Sequence, residues 1–210
     1  VVKGLVIVGA VKKVSIPKDT QFPALNPWLV GKSLSDEQKN AVLQLKNIDA
    51  GYNTTLLKGV TGSGKTEVYL EAVADCLKRG QQVLVLIPEI ALTAEFLLRV
   101  VERFGARPAE WHSGVTMTER RRAWKMIGQG KAQMVVGARS ALFLPFKNLG
   151  LIVVDEEHDS SYKQEDGVLY NARDMAVLRA SLVDGKVILA SATPSLESWV
   201  NVESGKYEKI

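Results

Sequence analysis

The chain has 210 residues, of which 46% are apolar and 24% charged, the balance of a folded globular protein and not of a disordered one. Twenty-seven basic against 23 acidic residues leave a net charge of +4, which neither selects nor excludes nucleic acid. The longest apolar runs, 83–87 and 149–154, fall far short of the ~18 residues that span a bilayer. No charged start leads into an apolar signal segment, and the single Cys76 rules out an internal disulfide or a four-cysteine zinc site, so a reducing cytoplasm is the expected location.

In chain order, Val1 to Val14 reads as β-rich and carries Lys12-Lys13, and the stretch holding Pro17, Pro23 and Pro27 cannot be regular helix or central strand. Residues 1–30 are therefore expected to be the tail of a preceding domain plus a linker, in a chain that starts on Val and reads as part of a longer one. From Ser33 the texture alternates strands and amphipathic helices. Ser35 with Gln38 forms a capping box opening a helix to about Lys46. Next come a strand Thr54–Lys58, a glycine-rich turn, a helix Thr66 to about Arg79 and a strand Gln82–Ile87. A helix Thr93–Phe104, a short strand Glu110–His112, a helix Met117–Gly128 and strands Ala132–Gly137 and Leu149–Asp155 follow. A helix Ala172–Leu182, a strand Lys186–Ser191 and a helix after Pro194 close the series. Several strands are continuous apolar runs, as expected when helices cover both faces of a parallel sheet, so the class is α/β, doubly wound.

Gly59-Val60-Thr61-Gly62-Ser63-Gly64-Lys65-Thr66 matches G-x-x-x-x-G-K-[ST] between a strand and a helix. Its glycines let successive N–H groups turn inward as an anion nest at the positive end of the helix. Lys65 is then placed for the β and γ phosphates of a nucleotide and Thr66 for Mg²⁺. Leu151 to His158 is a buried strand ending in Asp155-Glu156-Glu157-His158 at the sheet edge where ligands bind. Asp155 there would anchor Mg²⁺ and Glu156 would orient and deprotonate an attacking water. Two adjacent carboxylates after the strand point to hydrolysis.

These residues resemble the DEAD/DEAH-type helicases of superfamily two, and other segments fall in that family's order. Leu34-Ser35-x-x-Gln38 is similar to the adenine-reading motif, Pro88-Glu89-Ile90-Ala91-Leu92-Thr93 to the first DNA-contacting motif, and Gly137-Ala138-Arg139-Ser140-Ala141 to the next. Ser191-Ala192-Thr193-Pro194 is similar to the coupling motif. In detail the pattern resembles the replication-restart helicases of the primosomal protein N′ (PriA) type. Gly-Val-Thr-Gly-Ser-Gly-Lys-Thr-Glu-Val-Tyr, Asp-Glu-Glu-His-Asp-Ser-Ser-Tyr-Lys-Gln and Ser-Ala-Leu-Phe-Leu-Pro-Phe are characteristic of that type.

The resemblance implies a RecA-like P-loop lobe over residues 31–210, preceded by the end of a winged-helix-like domain. It also implies ATP with Mg²⁺, adenine read by Gln38, and ATP hydrolysis coupled to 3′ to 5′ translocation on single-stranded DNA at stalled forks. Forked DNA, a single-stranded-DNA-binding protein and primosome components are the implied partners, and zinc belongs to the parent outside this chain. DNA contacts fall on Pro88, Glu89, Thr93, Arg139 and Ser140, and on Tyr162 and Tyr170 of a polar segment, 159–170, that matches an aromatic-rich loop. His158, Ser191 and Thr193 would couple the nucleotide to the DNA.

Read without the resemblance, Gln38 needs only its cap, Arg139 only a surface ion pair, and 159–170 only a surface loop. Residues 119–125 read as a solvated helix face. Glu95 stands where the family has Gln, and Ala138 where it more usually has Thr. No Q-x-x-G-R-x-x-R pattern supplies an arginine finger, so the isolated lobe is expected to bind ATP with little turnover. A recombination- or restriction-type translocase, a small-molecule P-loop kinase and a nucleotide-gated binding module are the competing readings.

Overall fold

The computed structural model describes residue 10 and residues 20–48, 51–91 and 93–210. The β-rich reading of Val1 to Val14 and the Lys12-Lys13 pair lie, apart from Ala10, outside those residues. The described segment before the first helix is an irregular strap: the Leu25 amide donates to the Gln133 side chain at 2.8 Å and the Asn26 amide to the Phe104 carbonyl at 2.9 Å.

Nine strands and six α-helices follow among the described residues. The strands are β1 (Asn53–Lys58), β2 (Gln82–Leu86), β3 (Ala109–Trp111), β4 (Met134–Gly137), β5 (Leu149–Asp155), β6 (Lys163–Gln164), β7 (Tyr170–Asn171), β8 (Lys186–Ser191) and β9 (Glu208–Lys209). The helices are α1 (Asp36–Asn47), α2 (Lys65–Lys78), α3 (Ala94–Phe104), α4 (Met117–Gly128), α5 (Ala172–Leu182) and α6 (Leu196–Glu203). Seven strands form one sheet in the order β3-β4-β2-β5-β8-β1-β9, every pairing parallel, while β6 and β7 make a separate antiparallel hairpin.

The apolar runs are continuous because both faces of the sheet are covered. Along β5, Leu151 and Val153 face a core built on α1, α2 and α3, whereas Ile152 and Val154 face one built on α4, α5 and α6. Val83 and Val85 of β2 divide from Leu84 and Leu86 in the same way.

Register brings the strand ends level. Lys58 pairs with Ser191, Asp155 with Ala190, and Leu86 with both Val154 and Gly137, so β1, β8, β5, β2 and β4 finish along a single edge in that spatial order. The sequence motifs follow these five ends, which is why segments as far apart in the chain as Lys58 and Ser191 become neighbours.

Candidate functional site

The phosphate loop joins β1 to α2. Gly62 and Gly64 both take φ of +79°, a left-handed conformation that costs a residue with a Cβ. A Cβ on Gly64 would also run into the Gln38 amide, and one on Gly59 into the Ser63 hydroxyl. Side chains cap five of the six helices, namely Ser35, Thr93, Thr116, Asn171 and Ser195. α2 opens on Gly64 with no side-chain cap, so its first-turn N–H groups are left for an anion. Lys65 is buried beneath the loop and its Nζ donates to the Gly59 carbonyl at 2.9 Å and to that of Val60 at 3.4 Å. The ammonium is thus held across the loop mouth by neutral carbonyls, which an anionic phosphate would replace as the stronger partner.

Gln38 does two things at once. Its Oε1 accepts from the Ser35 amide at 2.9 Å, completing the capping box, and its Nε2 donates to the Ser63 carbonyl at 2.8 Å. α1 is thereby bolted to the phosphate loop. Of the remaining loop residues, Val60 and Thr61 are exposed and Ser63 closes a turn onto Val60 at 3.1 Å.

Two strands away, Asp155 ends β5. Its Oδ2 accepts from the Tyr69 hydroxyl at 2.8 Å and its Oδ1 from the Glu156 amide at 3.1 Å. Burial raises its pKa above the usual carboxylate value, against the opposing pull of Tyr69. Glu156 has φ of +47°, one of two left-handed residues other than glycine among those described, and strain of this kind persists where the surrounding structure enforces it. Its carboxylate lies 3.7 Å from Nδ1 of His158, and that nitrogen is 2.8 Å from Oγ of Ser191. Ser191 Oγ also accepts from the Thr193 amide at 3.1 Å, and the Ser191 carbonyl accepts from the Gly59 amide at 3.2 Å. One hydrogen-bonded chain therefore runs from the acid box through β8 to the phosphate loop.

A hydroxyl at Thr66 and a carboxylate at Asp155 are the hard oxygen donors that suit Mg²⁺. No group of three or more acidic, His or Cys side chains able to hold a metal occurs among the described residues.

The far half of the edge is an open groove of about 390 Å³ lined by Pro88, Glu89, Arg120, Arg139, Ser140 and Tyr170, among others. Glu89 is exposed and its Oε1 accepts from the Ser113 amide at 3.1 Å, joining the ends of β2 and β3. Thr93 is exposed and caps α3 through the Phe96 amide. Ser140 is exposed, and Tyr170 is half-buried, edge-on to Phe143 at 5.2 Å. Arg139 donates to the carbonyls of Ser161 at 3.2 Å and Lys163 at 2.7 Å, so its guanidinium already holds the segment after the acid box.

One expected DNA contact is corrected here. Tyr162 is 1% exposed and its hydroxyl donates to the carbonyls of Asp155 at 2.6 Å and Leu86 at 3.0 Å. A ring enclosed in this way stacks on no base; it ties the ends of β5 and β2 together. Pro88 is buried, lacks an N–H, and its carbonyl accepts from the Ala91 amide at 2.8 Å, so it shapes the turn and lines the groove without a backbone donor.

Sequence reasoning missed Glu157 and Tyr69. The Glu157 side chain is fully buried and accepts from the Ser195 amide at 2.7 Å, the Ser195 and Ser198 hydroxyls at 2.9 Å each, and Arg173 at 3.4 Å. It fixes the acid box to the start of α6. Of the discounted arginines, Arg120 lines the groove and reaches the His112 carbonyl at 2.7 Å, whereas Arg122 turns to the Thr20 and Gln21 carbonyls and the Phe22 ring. Glu95 pairs with Arg99 at 2.8 Å on its own helix.

The DEAD/DEAH box helicase family model matches residues 35–202. The chain is 47% identical over 209 residues to the replication restart protein PriA of Rickettsia felis, covering 96% of this chain and 32% of that protein. It is 48% identical over 178 residues to that of Haemophilus influenzae, covering 85% and 24%. The chain thus spans about a third or less of the length of these curated relatives. Among solved structures it is similar to RecG bound to a three-way DNA junction, with a TM-score of 0.64, 26% identity and coverage of 86% of this chain and 24% of RecG. A hypothetical ATP-dependent RNA helicase from Sulfolobus tokodaii shares the fold at a TM-score of 0.59, 20% identity and coverage of 85% and 53%.

Proposed function

Because the chain belongs to the DEAD/DEAH box helicase family, we propose that it is the ATP-binding motor lobe of a DNA helicase acting in replication restart. Its ATP hydrolysis would be coupled to 3′ to 5′ translocation on single-stranded DNA. The observation that carries this reading is the linkage along one sheet edge. The phosphate loop meets Ser191, Ser191 meets His158, and His158 meets Glu156, whose backbone is held in a strained conformation.

In this reading the uncapped start of α2 and Lys65 bind the β and γ phosphates, which makes the γ-phosphoryl group a better electrophile. Thr66 and Asp155 would hold Mg²⁺, which would supply charge neutralisation. Glu156 orients water and takes its proton; His158, Ser191 and Thr193 report the state of the γ-phosphate toward the groove. Gln38 reads adenine from its position beside the loop. Arg139, Ser140, Glu89, Thr93 and Tyr170 border the DNA track, where contacts to phosphate and sugar need no base identity.

Residues 1–30 belong to the neighbouring domain in this proposal and 31–210 to the lobe. Alone, the lobe binds ATP and turns it over slowly, since no arginine-finger pattern is present in the chain. Forked DNA, single-stranded-DNA-binding protein, primosome components and a zinc site go with the longer parent, in the cytoplasm. No helix among the described residues is long and apolar enough to cross a membrane.

The test is ATP hydrolysis by the full parent chain, with and without forked DNA. Forked DNA should raise the wild-type rate, Lys65→Ala should lose nucleotide binding, and Glu156→Gln should bind ATP yet lose at least 100-fold in turnover. A rate indifferent to DNA defeats the motor reading, and full activity in Glu156→Gln defeats the assignment of the base.

A further inference from the structure

Tyr69 lies on α2 one turn after Thr66 and is 0% exposed. Its ring is core, and for that purpose phenylalanine would serve. A hydroxyl carried into such a place is costly unless it is bonded, and here its partner belongs to the nucleotide site. The phenol donates to Oδ2 of Asp155 at 2.8 Å.

The Asp155 carboxylate is pinned from both sides, by Tyr69 on Oδ2 and by the Glu156 amide on Oδ1, so its direction is fixed by groups that are not themselves cation ligands. Outer partners that orient ligands in this way typically change metal affinity 10- to 100-fold when removed.

We propose that Tyr69 is a positioning residue of the Mg²⁺ site, setting the orientation of the Asp155 carboxylate. This rests on the nucleotide reading given above. The test is Tyr69→Phe in the 210-residue chain, which removes one oxygen and keeps every ring contact, with thermal melts confirming the fold. Binding of a fluorescent ATP analogue is measured first in EDTA and then across a Mg²⁺ titration, so that metal-free affinity and metal dependence are read separately.

The expected result is unchanged affinity in EDTA and about a tenfold higher Mg²⁺ concentration for half-maximal tightening. An unchanged Mg²⁺ midpoint overturns the proposal. So does an equal loss in EDTA, which would mark a packing role. Lys65→Ala is the separate control: if it binds the analogue as well as wild type, the nucleotide reading itself fails and the Tyr69 proposal falls with it.

Discussion

At Gly64 the backbone turns left-handed at the one point where the Gln38 amide leaves no room for a side chain. Gly64→Ala should therefore cost about 1–2 kcal/mol for the turn alone and more for the collision, and should abolish nucleotide binding. Urea unfolding with a parallel binding assay checks both parts. Glu157 gives the opposite kind of prediction, large in stability and remote from phosphate. Glu157→Ala removes the buried acceptor of the Ser195 amide and of two serine hydroxyls, while Arg173 keeps Asp174 at 2.8 Å, so about 1–3 kcal/mol per donor left unsatisfied should be lost in the same unfolding assay. Lys65, Thr66 and Asp155 were legible because their spacing is local and their chemistry follows from it. Glu157 was not, since its partners lie 16 to 41 residues away along the chain and only the parallel pairing of β5 with β8 brings them near. Tyr162 misled because it stands in a polar stretch, and polarity around a residue does not tell which way a 3₁₀ turn will aim it.

Among the elements, α2 carries the chemistry at its first turn and the stability along its buried side. Cys76 on that side is fully buried, and burial pushes its thiol up to about 11. A raised thiol favours the folded protein below the unfolded pKa, and that advantage disappears as pH rises from about 9 to about 11. The buried phenols of Tyr69 and Tyr162 are also shifted upward, chiefly by burial, and steepen the same alkaline limb. Cys76→Ala should make stability fall less steeply over that range, measured by denaturant unfolding at several pH values. The native thiol should react with a disulfide reagent at pH 8 only as fast as the chain opens. The capping boxes at Ser35 and Thr116 show how local signals set helix starts, the first of them legible from the sequence. β6, β7 and β9 were invisible for the converse reason: two residues each carry no periodicity, and their existence depends on partners.

At the scale of the molecule, the ordering of strand ends does the dividing. β1, β8 and β5 place the phosphate loop, Ser191 and the acid box side by side, while β2 and β4 place Glu89, Arg139 and Ser140 on the groove beyond. Tyr162 and Arg139 are the struts between the halves, the first joining Leu86 to Asp155 and the second gripping the carbonyls on either side of Tyr162. The α/β class and the placing of motifs after strand ends could be inferred from the chain, but the spatial order of the strands and the struts could not, because each depends on pairings between elements that the sequence alone leaves open. The net charge of +4 stayed silent throughout, since what matters is which side chains stand at strand ends. The central claim is that nucleotide and DNA occupy different halves of one edge. Its most direct measurement compares nucleotide and single-stranded DNA binding by the same preparations of wild type, Lys65→Ala and Ser140→Asp. The account predicts that Lys65→Ala loses nucleotide and keeps DNA, while Ser140→Asp, with a negative charge set in the groove, keeps nucleotide and weakens DNA; loss of both ligands in either variant, or DNA binding untouched by Ser140→Asp, would contradict it.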